Sequence, residues 1–158
     1  ASDLGTVDVV IYNAGSGVWG NIEDLDPADF ERAWRINTMG AFLVAQQVIG
    51  PMNAKGKGNI VIVGATASLR GKPLTTAFAP AKAAQRSLAQ AMARHLWPQG
   101  IHVSLLIVDG QIAEGAAEAQ APEKLAADDI AETAEFLTRQ PRSAWSFEVD
   151  LRPSQETW

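Results

Sequence analysis

Two side chains on one helix turn raise the first chemical question. In the stretch TTAFAPAKAAQRS, residues 75–87, Phe78 precedes Lys82 by four positions, so both project from the same helix face one turn apart. Phe78 either fills a core or stands where a reactive side chain belongs. Asn37 raises the second question. It falls on a stripe of Phe30, Ala33, Trp34, Ala41, Val44, Ala45 and Val48, so an amide sits among residues that bury carbon at helical spacing. A buried amide needs partners, and Asn37 reads equally as a core asparagine bonded to backbone or water and as part of a site. His95 and His102 flank the turn at Pro98 and Gly100 and read as a solvated helix end and a residue opening a strand. The chain has no cysteine, which excludes thiolate chemistry and disulfides, and two separated histidines argue against a zinc centre.

These residues are positioned by short apolar runs that alternate with longer helical patterns. VDVVIY at 7–12, NIVIV at 59–63 and IHVSLLIV at 101–108 read as strands rich in β-branched residues. Asp26 and Pro27 open a long helix, as an N-cap and a first-turn proline do. A second helix runs through AFAPAKAAQRSLAQAMARHLW and stops at Pro98 and Gly100. A further helix is expected over 128–138, a last strand in SFEVDLR at 146–152, and a mobile loop in the Ala/Glu-rich stretch 113–127. Strand–helix–strand alternation predicts parallel βαβ units, and the continuously apolar strands suit a sheet covered on both faces. The strand at 7–12 then keeps one edge without a visible partner, an aggregation hazard unless covered. Ligands of open parallel sheets collect at the carboxyl ends of the strands. That places weight on Asn13-Ala14-Gly15, on residues 64–68 and on residues 109–114, although Asn13 and Gly15 taken alone read as turn residues.

Composition narrows the partners. The 158 residues carry 18 acidic and 13 basic side chains, a formal charge of −5, and no Lys/Arg run long enough to track a phosphate backbone, so nucleic acid is not expected. No apolar run approaches the roughly 20 residues that cross a bilayer, and the N-terminus lacks a signal-peptide layout. With 47% hydrophobic residues the chain can bury the core of one domain, taken as residues 1–158. A cytoplasmic, soluble protein is expected.

The motifs together resemble the short-chain dehydrogenase/reductase family. VDVVIYNAG, RINTMGAF, GNIVIVGATAS, an aromatic residue four before lysine followed by AAQRSLAQAMARHLWPQGIHVSLL, and Asp-Gly after the third strand agree in order and spacing over about residues 5 to 112. The resemblance implies a doubly wound, Rossmann-like α/β domain that binds NAD or NADP and acts on a small alcohol or carbonyl. It also implies a homo-oligomer built through the two long helices. The family's first three strands and glycine-rich phosphate loop have no counterpart in this sequence, so the chain is expected to be the C-terminal part of a longer protein and to bind the dinucleotide poorly alone.

Residue by residue, the resemblance implies cofactor contacts at Asn13, Ala14, Gly15, Lys82, Asp109, Gly110 and Ile112. It implies catalytic positions at Asn37, Lys82, Phe78 and Ala65, and two of these depart from the family. Phe78 occupies the place of the tyrosine and Ala65 that of the serine, thirteen residues earlier. Beyond the third strand, Asp109-Gly110 replaces Pro-Gly and Glu114 stands where a threonine is common. Reducing a carbonyl calls for a proton donor and a hydrogen bond to the developing alkoxide, worth roughly 10²- to 10⁴-fold and 10²- to 10³-fold respectively. A phenyl ring supplies neither. Thr66, Ser68, Thr75 and Thr76, or a water on Lys82, are the candidates to substitute, against a plain reading of those four hydroxyls as loop and cap chemistry. Two expectations stand side by side: an oxidoreductase with an altered proton relay, or a catalytically degenerate dinucleotide-binding or oligomer-forming homologue.

Overall fold

A computed structural model describes residues 5–156. Four parallel strands form the main sheet in the order β1 (Val9–Tyr12), β2 (Gly58–Ala65), β3 (Ile101–Val108) and β6 (Glu148–Leu151). Between β1 and β2 lie α1 (Pro27–Trp34), a π-turn (Arg35–Met39) and α2 (Gly40–Lys55); α3 (Phe78–Leu96) joins β2 to β3. A small parallel pair, β4 (Gln111–Ile112) and β5 (Lys124–Leu125), and helix α4 (Ala127–Arg139) precede β6.

The period of two along a strand sends alternate side chains to opposite faces. Ile60, Ile62, Leu105 and Ile107 pack with Met52 and Leu96 on the α2/α3 side, while Val61 and Leu106 meet Ala134 and Leu137 of α4 on the other. Every residue of β3 but the last is buried, and each such Leu or Ile contributes about 1.5–3 kcal/mol by leaving water. The central strands therefore need covering on both faces, as their unbroken apolar runs predict. β1 has a single neighbour and leaves Val9 and Ile11 exposed, so the unpartnered edge is real within the described residues.

The long helix starts as predicted, with the Asp26 carboxylate accepting from Ala28 N at 2.8 Å and Pro27 in the first turn. Its buried stripe differs from the expected one. Ala33, Asn37, Ala41, Ala45, Val48 and Met52 face inward, whereas Phe30, Trp34 and Val44 are exposed. The π-turn brings Asn37 and Thr38 both inside. Ala33 packs directly on Ala77 and Ala81, and this close approach at α1 leaves the larger Phe30 and Trp34 rings outside. Tyr12 donates to Ile36 O at 2.5 Å, inside the π-turn, and a Cβ on Gly40 would lie 2.1 Å from that hydroxyl. Thr38 donates to Ala81 O at 2.8 Å, tying the turn to α3.

The expected strand boundaries move by one or two residues, and β3 matches in full. The stretch 113–127 contains β5 and a series of turns rather than loop alone. His102 does more than open a strand. It is buried in β3, with Nδ1 3.1 Å from Leu137 O and Nε2 2.8 Å from Ser146 O, and it stacks on Trp145. Burial holds its imidazole below the usual histidine range, opposed by those two carbonyl contacts. Gly100 explains the sharp stop before β3: its φ of +87° suits glycine, and a Cβ there would strike Gly56 O at 2.2 Å.

Candidate active site

The carboxyl ends of β1, β2 and β3 open onto a cleft of about 800 Å³. Gly15 comes from the loop after β1, Ala65 from the end of β2 and Thr66 from the turn that follows it, Phe78 and Lys82 from the first turns of α3, and Asp109, Gly110 and Ile112 from the chain leaving β3. Residues distant in sequence thus meet because parallel strands all deliver their following loops to the same edge.

Lys82 is 6% exposed at the cleft floor. Its Nζ donates to Val63 O and to Gln85 Oε1, both at 3.1 Å. Burial lowers its pKa to about 8, because the charged form is disfavoured away from water. The Phe78 ring lies 5.9 Å from Nζ, and Trp19 packs against that ring with centroids 5.4 Å apart. Phe78 therefore belongs to an aromatic wall of the cleft, on the same helix face as the lysine.

Asn37 is fully buried behind Gly15. Its Nδ2 donates to Ala33 O at 2.8 Å and Ser16 O at 3.1 Å, which fixes the amide orientation, since two carbonyls can only accept. The opposite atom, Oδ1, has no protein hydrogen-bond donor. A Cβ on Gly15 would lie 3.3 Å from Asn37 Oδ1 and 3.7 Å from Lys82 Nζ, so Gly15 leaves room where these two polar groups approach the cleft. The Asn37 carbonyl accepts from Gln85 Nε2 at 2.7 Å.

Asp109 is buried at the end of β3, with Arg152 Nη1 at 2.9 Å and Arg70 Nη2 at 3.6 Å. These pairs link the chain after β6 and the loop after β2 to β3. Gly110 follows with φ +145°, and a Cβ there would press on Pro153 at 2.8 Å. Glu123 and Glu156 add acidic groups to a lining that also includes Arg70, Lys72 and Lys82.

Of the positions singled out from sequence, Gly15, Ala65, Phe78, Lys82, Asp109, Gly110 and Ile112 line one cleft, and Asn37 backs it. Asn13 and Ala14 are exposed just past the end of the edge strand, next to the lining but not part of it. The four hydroxyls divide. Thr75 and Thr76 bond to turn carbonyls of Lys72 and Pro73, in keeping with cap chemistry. Thr66 Oγ1 and Ser68 Oγ are buried without a protein hydrogen-bond partner, and Thr66 lines the cleft. Sequence reasoning missed Gln85, Trp19 and Ser16. Gln85 lies three residues after Lys82, on the same face, and that spacing was the one available signal.

A parallel α/β sheet covered by helices on both faces, with its cleft at the strand carboxyl ends, defines a Rossmann-like protein. The sequence matches the short chain dehydrogenase family over residues 1–124, and the chain belongs to that family. It is 32% identical over 112 residues to an uncharacterised oxidoreductase of Thermotoga maritima, covering 71% of this chain and 45% of that protein. A short-chain dehydrogenase structure from Rhodopseudomonas palustris is 36% identical with a TM-score of 0.78, over 92% of this chain and 62% of that one. A gluconate 5-dehydrogenase from Burkholderia cenocepacia, solved with NADP and tartrate, is 22% identical with a TM-score of 0.83, over 96% and 66% of the two chains. The chain spans less than half the length of curated relatives such as the Thermotoga protein. Among the described residues no helix is long and apolar enough to cross a membrane.

Proposed function

We propose that this chain belongs to an NAD- or NADP-dependent oxidoreductase acting on a small alcohol or carbonyl, with the family's proton relay altered. The observation that carries this reading is Lys82, held at the cleft floor and joined through Gln85 to Asn37, with the Phe78 ring beside it. The residues fit a dinucleotide on one structural ground. Asn37 Oδ1, buried and without a protein donor, and Lys82 Nζ approach the cleft together beside Gly15, a setting suited to a ligand hydroxyl. A bound nicotinamide would supply hydride transfer. The chain itself supplies the remainder: Lys82 binds and polarises, Trp19 and Phe78 exclude water, and Thr66 offers the hydroxyl nearest in the chain to Ala65.

The same reading takes residues 1–158 as one domain that contributes Asn13, Ala14, Gly15, Lys82, Asp109, Gly110 and Ile112 to the cofactor. It takes the protein as cytoplasmic and homo-oligomeric through α1/α2 and α3; exposed Phe30, Trp34, Phe42 and Leu43 support the oligomer. A second reading, a catalytically degenerate homologue, is favoured by the absence of a hydroxyl at both Ala65 and Phe78. The full-length protein decides between them when assayed with NADH and NADPH against a panel of carbonyls and alcohols. Turnover that disappears with Lys82→Ala in folded protein supports the oxidoreductase. Cofactor binding without turnover, with activity appearing in Phe78→Tyr/Ala65→Ser, supports the degenerate homologue.

A further inference from the structure

We propose that Gln85 is a positioning residue for Lys82, a dry amide link that ties the lysine nitrogen to the main-chain carbonyl of Asn37 in the π-turn. Gln85 is fully buried on α3. Its Nε2 donates to Asn37 O at 2.7 Å and its Oε1 accepts from Lys82 Nζ at 3.1 Å. The amide has only one workable orientation. A flip would set oxygen against the Asn37 carbonyl and an NH₂ group against the lysine's own donors. An apolar side chain of the same volume would fill the space without needing partners, so burying an amide here costs stability unless both ends are bonded.

The link has a consequence for the lysine. A protonated Lys82 carries three donors; Val63 O and Gln85 Oε1 take two, and the third is left for the cleft. A carboxamide neither gains nor loses a proton at neutral pH. Gln85 therefore orients Lys82 without conducting protons toward Asn37, and Lys82 exchanges its proton with the cleft. This inference deepens the proposed site, yet its test reads the lysine itself, so a protein that binds no cofactor still answers it.

The experiment is an NMR pH titration of the protein labelled at the lysine ε-carbons, with Lys82→Met locating the signal. The wild-type midpoint is expected at about 8. Gln85→Met fills the space but removes the acceptor, and lowers that midpoint by roughly one unit, the worth of a hydrogen bond to a charged group. Gln85→Ala leaves room for a water that restores an acceptor, and its midpoint lies between those of Gln85→Met and the wild type. A space-filling role gives the reverse ranking, with Met harmless and Ala perturbing. The proposal is overturned by a wild-type midpoint in folded Gln85→Met, or by a midpoint in Gln85→Ala below that of Gln85→Met. Gln85→Leu repeats the apolar arm should the Met variant not fold.

Discussion

Replacing Lys82 with methionine tests the electrostatics of the cleft floor without any ligand. Burial lowers the lysine pKa from 10.5 to about 8, so between those values the unfolded chain holds a proton that the folded chain has released. Stability then rises with pH across that window and falls as pH drops through 8. For one group with these two pKa values, the wild type gains about 2 kcal/mol between pH 7 and pH 9.5. Below pH 8 the full penalty is about 3 kcal/mol, from about 1.4 kcal/mol per unit. Lys82→Met lacks this titration, while every other group is shared and cancels on subtraction. The assay is urea unfolding of both proteins at several pH values from 7 to 9.5, read as the difference in extrapolated free energy. The expected result is a difference that moves toward the wild type by about 2 kcal/mol with rising pH. Its absolute size at pH 7 is smaller than the charge penalty, because methionine strands Val63 O and Gln85 Oε1 without their donor. Two curves that stay parallel across this range would refute the claim that Lys82 is desolvated in the folded protein.

Gly40→Ala sets a Cβ 2.1 Å from the Tyr12 hydroxyl, so it is expected to cost about 1–3 kcal/mol by thermal or urea unfolding; Tyr12→Phe, which removes that oxygen, recovers part of the loss in the double variant. Arg152→Ala leaves the buried Asp109 carboxylate with Arg70 at 3.6 Å and is expected to destabilise by about 2–3 kcal/mol, somewhat less than the removal of a sole buried partner. Phe78→Tyr with Ala65→Ser is expected to raise carbonyl reduction by the full-length protein at least about 10²-fold; unchanged turnover in protein that still binds cofactor would show that the relay is not what limits it.

Much of the fold followed from local pattern. β3 reads off its eight apolar-biased residues in full, and the start of α1 follows from Asp26-Pro27, because caps and continuous apolar strands are decided by neighbours along the chain. The buried stripe of α1 and α2 could not be read this way. A 3.6-residue period places Phe30, Trp34 and Val44 inside. All three are exposed, and the packing of Ala33 on Ala77 and Ala81 accounts for the two rings of α1.

The site divides along the same line. Residue types and spacing alone determined that Phe78 and Lys82 share one helix face, that Asn37 is an amide on a buried stripe, and that Gly15, Ala65 and Asp109 lie at the carboxyl ends of strands. Only the tertiary structure decided that a glutamine joins Asn37 to Lys82, that Trp19 walls the cleft with Phe78, and that Asp109 is held by Arg70 and Arg152. Helix and strand periods fix which way a side chain points from its own element. What it meets there depends on how separate elements are brought together, which no local period records.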